Sequence, residues 1–258
     1  MTTPTSGQSG RFGWVPDLPD HRDHIFNTPA PVLSTLPPSV DLRPQCPPTV
    51  YDQGDLGSCT ANAIGGAFEF DLLKQGLPDF MPSRLFIYYN ERVILHTVDS
   101  DSGAMIRDGI KSVNKKGVCT EDDWKYEIQR FTEKPPASCY QSALDNQSLA
   151  YQRIPQTLNQ LRGCLAHGYP FVFGFTVYQS FRDPEVARTG EVQLPGAGEA
   201  VLGGHAVLAV GYDDATARFS VRNSWGPEWG NGGYFTMPYA YLTDRGLASD
   251  FWTISKVE

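Results

Sequence analysis

Three residues far apart in the chain have the types needed for nucleophilic attack on a carbonyl: Cys59, His205 and Asn223. A thiol attacks well when held as thiolate. The first turn of a helix beside a histidine favours that state, because free helical N–H groups and an imidazolium both stabilise negative charge. Cys59 stands at such a place, after the small residues Gly57 and Ser58 and at the head of the most apolar helical run in the chain. His205 follows Gly203 and Gly204 at the mouth of an apolar β-prone run, which predicts an imidazole approachable from solvent. Asn223 closes another such run, and Trp225 two residues on is able to screen its amide from water. Each alone has a plain reading, as an inert buried thiol, a surface histidine or a turn asparagine.

The elements that must position them form two textures. Residues 1–39 hold seven prolines with isolated aromatics (Phe12, Trp14, Phe26), a composition unable to build a helix or core, and read as an extended arm. Residues 40–150 read as a mainly helical lobe. One helix runs from Cys59 to Gln75 and stops at Gly76; a second is capped by Ser83 and runs to about His96; a third opens at Ser102 or Gly103 and stops at Gly117. Residues 151–258 begin with a helix from Pro155 to Gly168. Short β-prone runs follow around Phe171–Val177, Ala206–Tyr212, Arg218–Arg222, Tyr234–Met237 and Trp252–Val257. Helices followed by strands imply an α+β fold of two lobes with a cleft between them.

Composition excludes several classes. A net charge of -8 without a run of lysines or arginines gives no footprint for nucleic acid or anionic lipid, and no apolar stretch approaches a membrane span. Five cysteines without metal-ligand spacing predict no metal and no cofactor, and leave the pairing of Cys46, Cys119, Cys139 and Cys164 open. The N-terminal residues lack a secretory signal, which predicts a cytoplasmic protein unless it leaves by a non-classical route.

Taken together the segments resemble the papain family of cysteine peptidases. Gln53-Gly-Asp-Leu-Gly-Ser-Cys59-Thr is similar to that family's Gln-Gly-x-Cys-Gly-Ser-Cys-Trp. His205 and Asn223 follow in the family's order at roughly its separation of 130–150 residues, and Asn-Ser-Trp-Gly is its most specific signature. The resemblance implies a papain-like two-lobed fold and a resting Cys59–His205 thiolate–imidazolium pair. It implies a thioester acyl-enzyme, Gln53 and the Cys59 N–H as oxyanion donors, and Asn223 orienting His205. It also implies that Gly57, Ser58, Gly103, Ala104, Gly204 and Trp225 line the substrate site. Met105 and Ile106 would wall an apolar pocket, with a floor at Asp250 or one residue beyond. The partners implied are polypeptide substrates cut by a monomer, with the arm as an intramolecular inhibitor. Leu56 and Thr60 depart from the family pattern, and with the short arm they suggest a bacterial branch. The competing functions are a transglutaminase-like acyl transferase, a silent peptidase-fold binding protein, and a redox-sensing thiol protein.

Overall fold

The computed structural model describes residues 12–258, so the part of the predicted arm before Phe12 lies outside the described residues. From Phe12 the chain runs without long elements, through a turn closed by Asp23 N–H on Asp20 O and the short α1 (Ala30–Ser34), and it enters the body at β1 (Ser39–Asp41). The first lobe holds α2 (Cys59–Gln75), α3 (Arg84–Leu95), α4 (Ile106–Lys116) and the short α5 (Ala137–Ala143). The second holds β2 (Ser148–Arg153), α6 (Leu158–Ala166), β3 (Phe171–Tyr178), α7 (Pro184–Thr189), β4 (Val201–Asp213), β5 (Arg218–Arg222), β6 (Tyr234–Pro238), α8 (Tyr239–Thr243) and β7 (Ala248–Val257). Its antiparallel sheet runs β2-β7-β3-β4-β5-β6, and β1 adds to β4. The fold is the expected α+β, with a helical lobe and a sheet-rich one.

α2 is apolar on nearly every face because it is buried on nearly every face, from Cys59 to Leu72. It packs against β4 and β7, so its first residue faces the sheet of the other lobe. Gly76 ends it in the left-handed region at φ 67°, a conformation glycine adopts without steric cost. Ser83 caps α3 by accepting the N–H of Phe86.

Three expectations need correction. The arm does hold one helical turn, α1, which proline at its first positions permits because the N–H it lacks would be unpaired there. α4 starts at Ile106 rather than at Ser102 or Gly103, since Gly103 sits at φ 71° and Ala104 pairs with the arm as an extended residue. α6 starts at Leu158 rather than Pro155, because Ile154 is tied to Phe251 of β7 and Thr157 supplies the cap.

Candidate active site

Cys59 is the first residue of α2 and is fully buried. Its N-cap, Ser58, makes no capping bond, because the hydroxyl instead meets Tyr126 Oη at 2.5 Å and accepts from Asn62 Nδ2 at 3.0 Å. The N–H groups of the first turn therefore remain free to face the sulfur. Main-chain N–H groups of Ala206, Gly13 and Thr60 all favour its thiolate, yet burial outweighs them and pushes the thiol up to about 12. With the arm in place, burial thus disfavours the charged form of both Cys59 and His205.

His205 lies inside β4, not at its mouth, and is fully buried rather than approachable from solvent. The reason is the covering arm, whose Phe12 ring stands 6.1 Å from the imidazole. Desolvation holds His205 down at about 4 despite the bond from Nε2 to Asn223 Oδ1 at 2.8 Å. That bond leaves Nδ1 buried with no hydrogen-bond partner among the described residues. Asn223 directly follows β5, and its Oδ1 also accepts the Ser224 N–H at 2.9 Å. The Trp225 indole lies against His205 at 4.9 Å, tilted by 31°, and is backed by Phe181 and Trp229, which shield the His205–Asn223 bond from water.

Gln53 is buried on the neighbouring loop. Its Oε1 accepts from Ser224 Oγ at 2.7 Å and its Nε2 donates to Leu56 O at 2.9 Å, which fixes the amide with its N–H side toward the Cys59 loop. The main chains are knitted as well, with Gln53 N donating to Ser224 O at 2.8 Å. Sequence reasoning missed two supports of this loop. Asp101 accepts the Gly57 N–H at 3.0 Å and the Tyr88 hydroxyl at 2.5 Å, and Tyr88 in turn receives the Gly103 N–H at 3.1 Å. Tyr126 donates to Gln53 O at 3.0 Å. Neither position carries a local signal, since each acts across the fold.

A thiol at a helix start, an imidazole oriented by an amide and a fixed amide donor form the equipment of acyl transfer through a thioester. The pattern of the papain family cysteine proteases matches residues 36–252. The chain belongs to the papain family. It is a cysteine peptidase, and nothing in its relatives supports an acyl transferase or a silent scaffold. It is 42% identical over 277 residues to an uncharacterized peptidase C1-like protein of Acanthamoeba polyphaga mimivirus, covering 98% of this chain and 89% of that one. A cathepsin B-like protein of Giardia intestinalis is 32% identical over 222 residues, covering 77% of this chain and 68% of the other. Among solved structures, xylellain, a cysteine protease from Xylella fastidiosa, superposes with a TM-score of 0.90 at 44% identity over 100% of both chains. Similarity at this level to a viral protein means that the branch is not bacterial alone.

In this papain-family cleft the arm occupies the space beside Cys59. Ala104 N–H donates to Gly13 O at 2.8 Å, Val15 N–H to Ala104 O at 2.9 Å, and Trp14 N–H to Gly204 O at 2.9 Å. Gly13 is pressed so close that a Cβ there would lie 1.8 Å from Gly57 O. The Trp14 ring fills a slot floored by Asp250, whose Oδ2 accepts its Nε1 at 3.2 Å. A Cβ on Gly174 would stand 1.9 Å from that ring, and one on Gly204 2.7 Å. The sequence hint for Gly174 was a lone glycine inside the apolar run Phe171-Val-Phe-Gly-Phe.

Of the predicted substrate residues, Gly57, Gly103, Ala104, Gly204 and Trp225 all line the occupied groove. Three do not. Ser58 turns its hydroxyl away toward Tyr126, Ile106 is buried in the core, and Met105 lies beside Leu18 and Pro19 on the outer side of the arm. The pocket floor resolves to Asp250, held at φ 59° at an irregularity in the β3–β7 pairing, while Phe251 stacks on Phe173 at 5.6 Å in the core.

Proposed function

We propose that Cys59 is the nucleophile of a peptidase that is latent while residues 12–15 of the arm fill its cleft. Once the arm leaves, solvent returns to Cys59 and His205, and the desolvation that disfavours both charged forms is relieved. The thiolate then attacks a peptide carbonyl. The Gln53 amide and the Cys59 N–H receive the oxyanion, and His205 protonates the leaving amine and later activates water against the thioester. Asn223 holds the imidazole tautomer throughout. Nucleophile, base, orienter and oxyanion donor all come from one chain, so a monomer suffices.

The observation that carries the reading is the pose of Gly13. Its N–H faces the Cys59 sulfur while its carbonyl oxygen is bonded to Ala104. A nucleophile must approach a carbonyl from above its peptide plane, whereas the Gly13 N–H places the sulfur within the plane of the Phe12–Gly13 peptide; the next carbonyl, that of Gly13, is held by Ala104. The arm thus binds as a substrate-length strand without offering an electrophile in attack geometry. The procathepsin B of Trypanosoma congolense, 20% identical with a TM-score of 0.74, shares the fold, and its name marks a proenzyme.

The Trp14 slot supports a preference for a flat side chain with a hydrogen-bond donor at its tip, such as tryptophan or arginine, against the Asp250 carboxylate. The experiment is deletion of residues 1–38, which should raise kcat/KM on small peptidyl reporters by at least about tenfold. Gly13→Val in the full chain should do the same, because the clash with Gly57 unseats the strand. Unchanged activity in both folded variants overturns latency, and retained turnover in Cys59→Ala overturns the nucleophile.

A further inference from the structure

Four of the five cysteines play no part in this chemistry, and two of those stand alone. The Cys46 thiol donates to Leu42 O at 3.4 Å and that of Cys164 to Tyr169 O at 3.5 Å. Cys119 and Cys139 differ. Cys119 follows α4 by a short turn, and its carbonyl accepts the Ser83 N–H at 2.9 Å at the start of α3. Cys139 sits in the first turn of α5 and directs its sulfur to Asp123 O at 3.7 Å. Asp123 belongs to the turn after Cys119, its N–H bonded to Thr120 Oγ1 at 3.1 Å and its carboxylate to Ser142 Oγ of α5 at 3.3 Å. This turn lays α5 back over Cys119. The two free thiols are thereby neighbours, with 0% and 2% of their surfaces exposed.

We infer that Cys119 and Cys139 form a dithiol that closes to a disulfide under oxidising conditions and staples residues 120–138 to the base of α3. The stapled segment bears on catalysis. It carries Tyr126, bonded to Gln53 O and Ser58, and Glu121, whose carboxylate meets Arg84 at 2.7 Å; Arg84 in turn donates to Asn62 of α2 at 3.2 Å. Closing the staple thus stiffens the wall behind the oxyanion loop and the cap of the nucleophile helix.

The exchange needs a small disulfide such as oxidised glutathione. Cys139, the more exposed thiol, loses its proton and attacks one sulfur, which breaks the small S–S bond and releases one glutathione thiolate. Cys119 then loses its proton and attacks the Cys139 sulfur, forming the internal bond and releasing the second glutathione. Two electrons pass to the small disulfide, and the two protons end on the released thiols. Burial raises both cysteine thiols, which slows exchange in each direction and protects the bond once made.

The test uses full-length Cys59→Ser, so that the active-site thiol cannot consume the reagent. The folded protein is equilibrated in glutathione buffers of graded redox ratio, acid-quenched, alkylated and digested with trypsin. The expected product is the peptide of residues 117–125 joined to that of residues 131–153. The oxidised protein should melt about 5–10 °C above the reduced one. Cys46→Ser should keep that difference and Cys139→Ser should lose it. Glutathione adducts without the cross-link, a bond to Cys46 or Cys164, or free thiols in pure oxidised glutathione would each overturn the assignment. The peptide map decides even if Cys139→Ser does not fold.

Discussion

Ser224 explains why a hydroxyl follows the orienting asparagine. Its Oγ donates to Gln53 Oε1 at 2.7 Å, and this bond selects which end of the amide faces the cleft. Gln53→Ala should lower kcat by about 10²-fold with little change in KM, as for a donor used mainly in the transition state. Ser224→Ala should give a smaller fall, of about tenfold, again in kcat, because an amide free to flip presents its oxygen to the oxyanion part of the time. A KM effect alone, measured on the arm-deleted enzyme, would remove both from the oxyanion role. Asn223→Ala should cost less than His205→Ala, since Trp225 still restrains the ring when the bond at 2.8 Å is gone. Cys59, His205, Asn223 and Gln53 were legible because their neighbours repeat a family's local pattern. Asp101 and Tyr126 were not, because they reach the Cys59 loop from distant segments whose own sequences look ordinary.

At the scale of elements, the slot that holds Trp14 is made by two strands that each break a rule of their class. β3 carries Gly174 where a side chain would meet Trp14, and β7 carries Asp250 at φ 59°, a conformation that costs a non-glycine residue about 1 kcal/mol or more. The irregular β3–β7 pairing turns the Asp250 carboxyl into the cleft and sends Phe251 to the core. Gly174→Val should fill the slot. In the arm-deleted enzyme it should reduce kcat/KM for reporters with tryptophan or arginine at the slot position by more than tenfold, and spare those with alanine. Equal loss for all reporters would point to damage to the sheet instead. Long helices and apolar strands could be read from periodicity and stop signals, whereas the Asp250–Phe251 register could not. A bulge shifts every side chain beyond it by one face, and only the cross-strand partners reveal it. The late starts of α4 and α6 have the same origin, since tertiary bonds to the arm and to β7 hold residues that local propensity would admit to a helix.

At the scale of the whole molecule, the closed state depends on a buried charge cluster that spans arm and body. Arg107 grips Asp23 at 2.6 Å, and Arg153 bridges Asp23 at 3.1 Å and Asp250 at 3.0 Å. Asp17 joins them, with its N–H on Asp250 Oδ2 at 2.8 Å and its carboxylate accepting from Arg107 N–H at 3.1 Å and Trp252 Nε1 at 2.9 Å. Asp23 and Asp250 thus take the two guanidiniums, whereas the Asp17 carboxyl is held by N–H groups alone. Burial and then the Asp250 charge push Asp17 up to about 7. A carboxyl whose value is higher with the arm docked than with it free favours docking in its protonated form. That contribution is fully present below the free value of 3.8 and is lost as pH rises through about 7. The Cys59–His205 pair adds little slope between those limits, since the neutral pair and the ion pair carry the same number of protons. Latency should therefore weaken toward alkaline pH. The ratio of full-length to arm-deleted kcat/KM, which cancels the titration of the catalytic groups themselves, should rise several-fold between pH 5 and pH 8. Asp17→Asn, neutral at every pH, should flatten the profile. A ratio that falls with pH, or an Asp17→Asn profile as steep as the original, would place the trigger elsewhere.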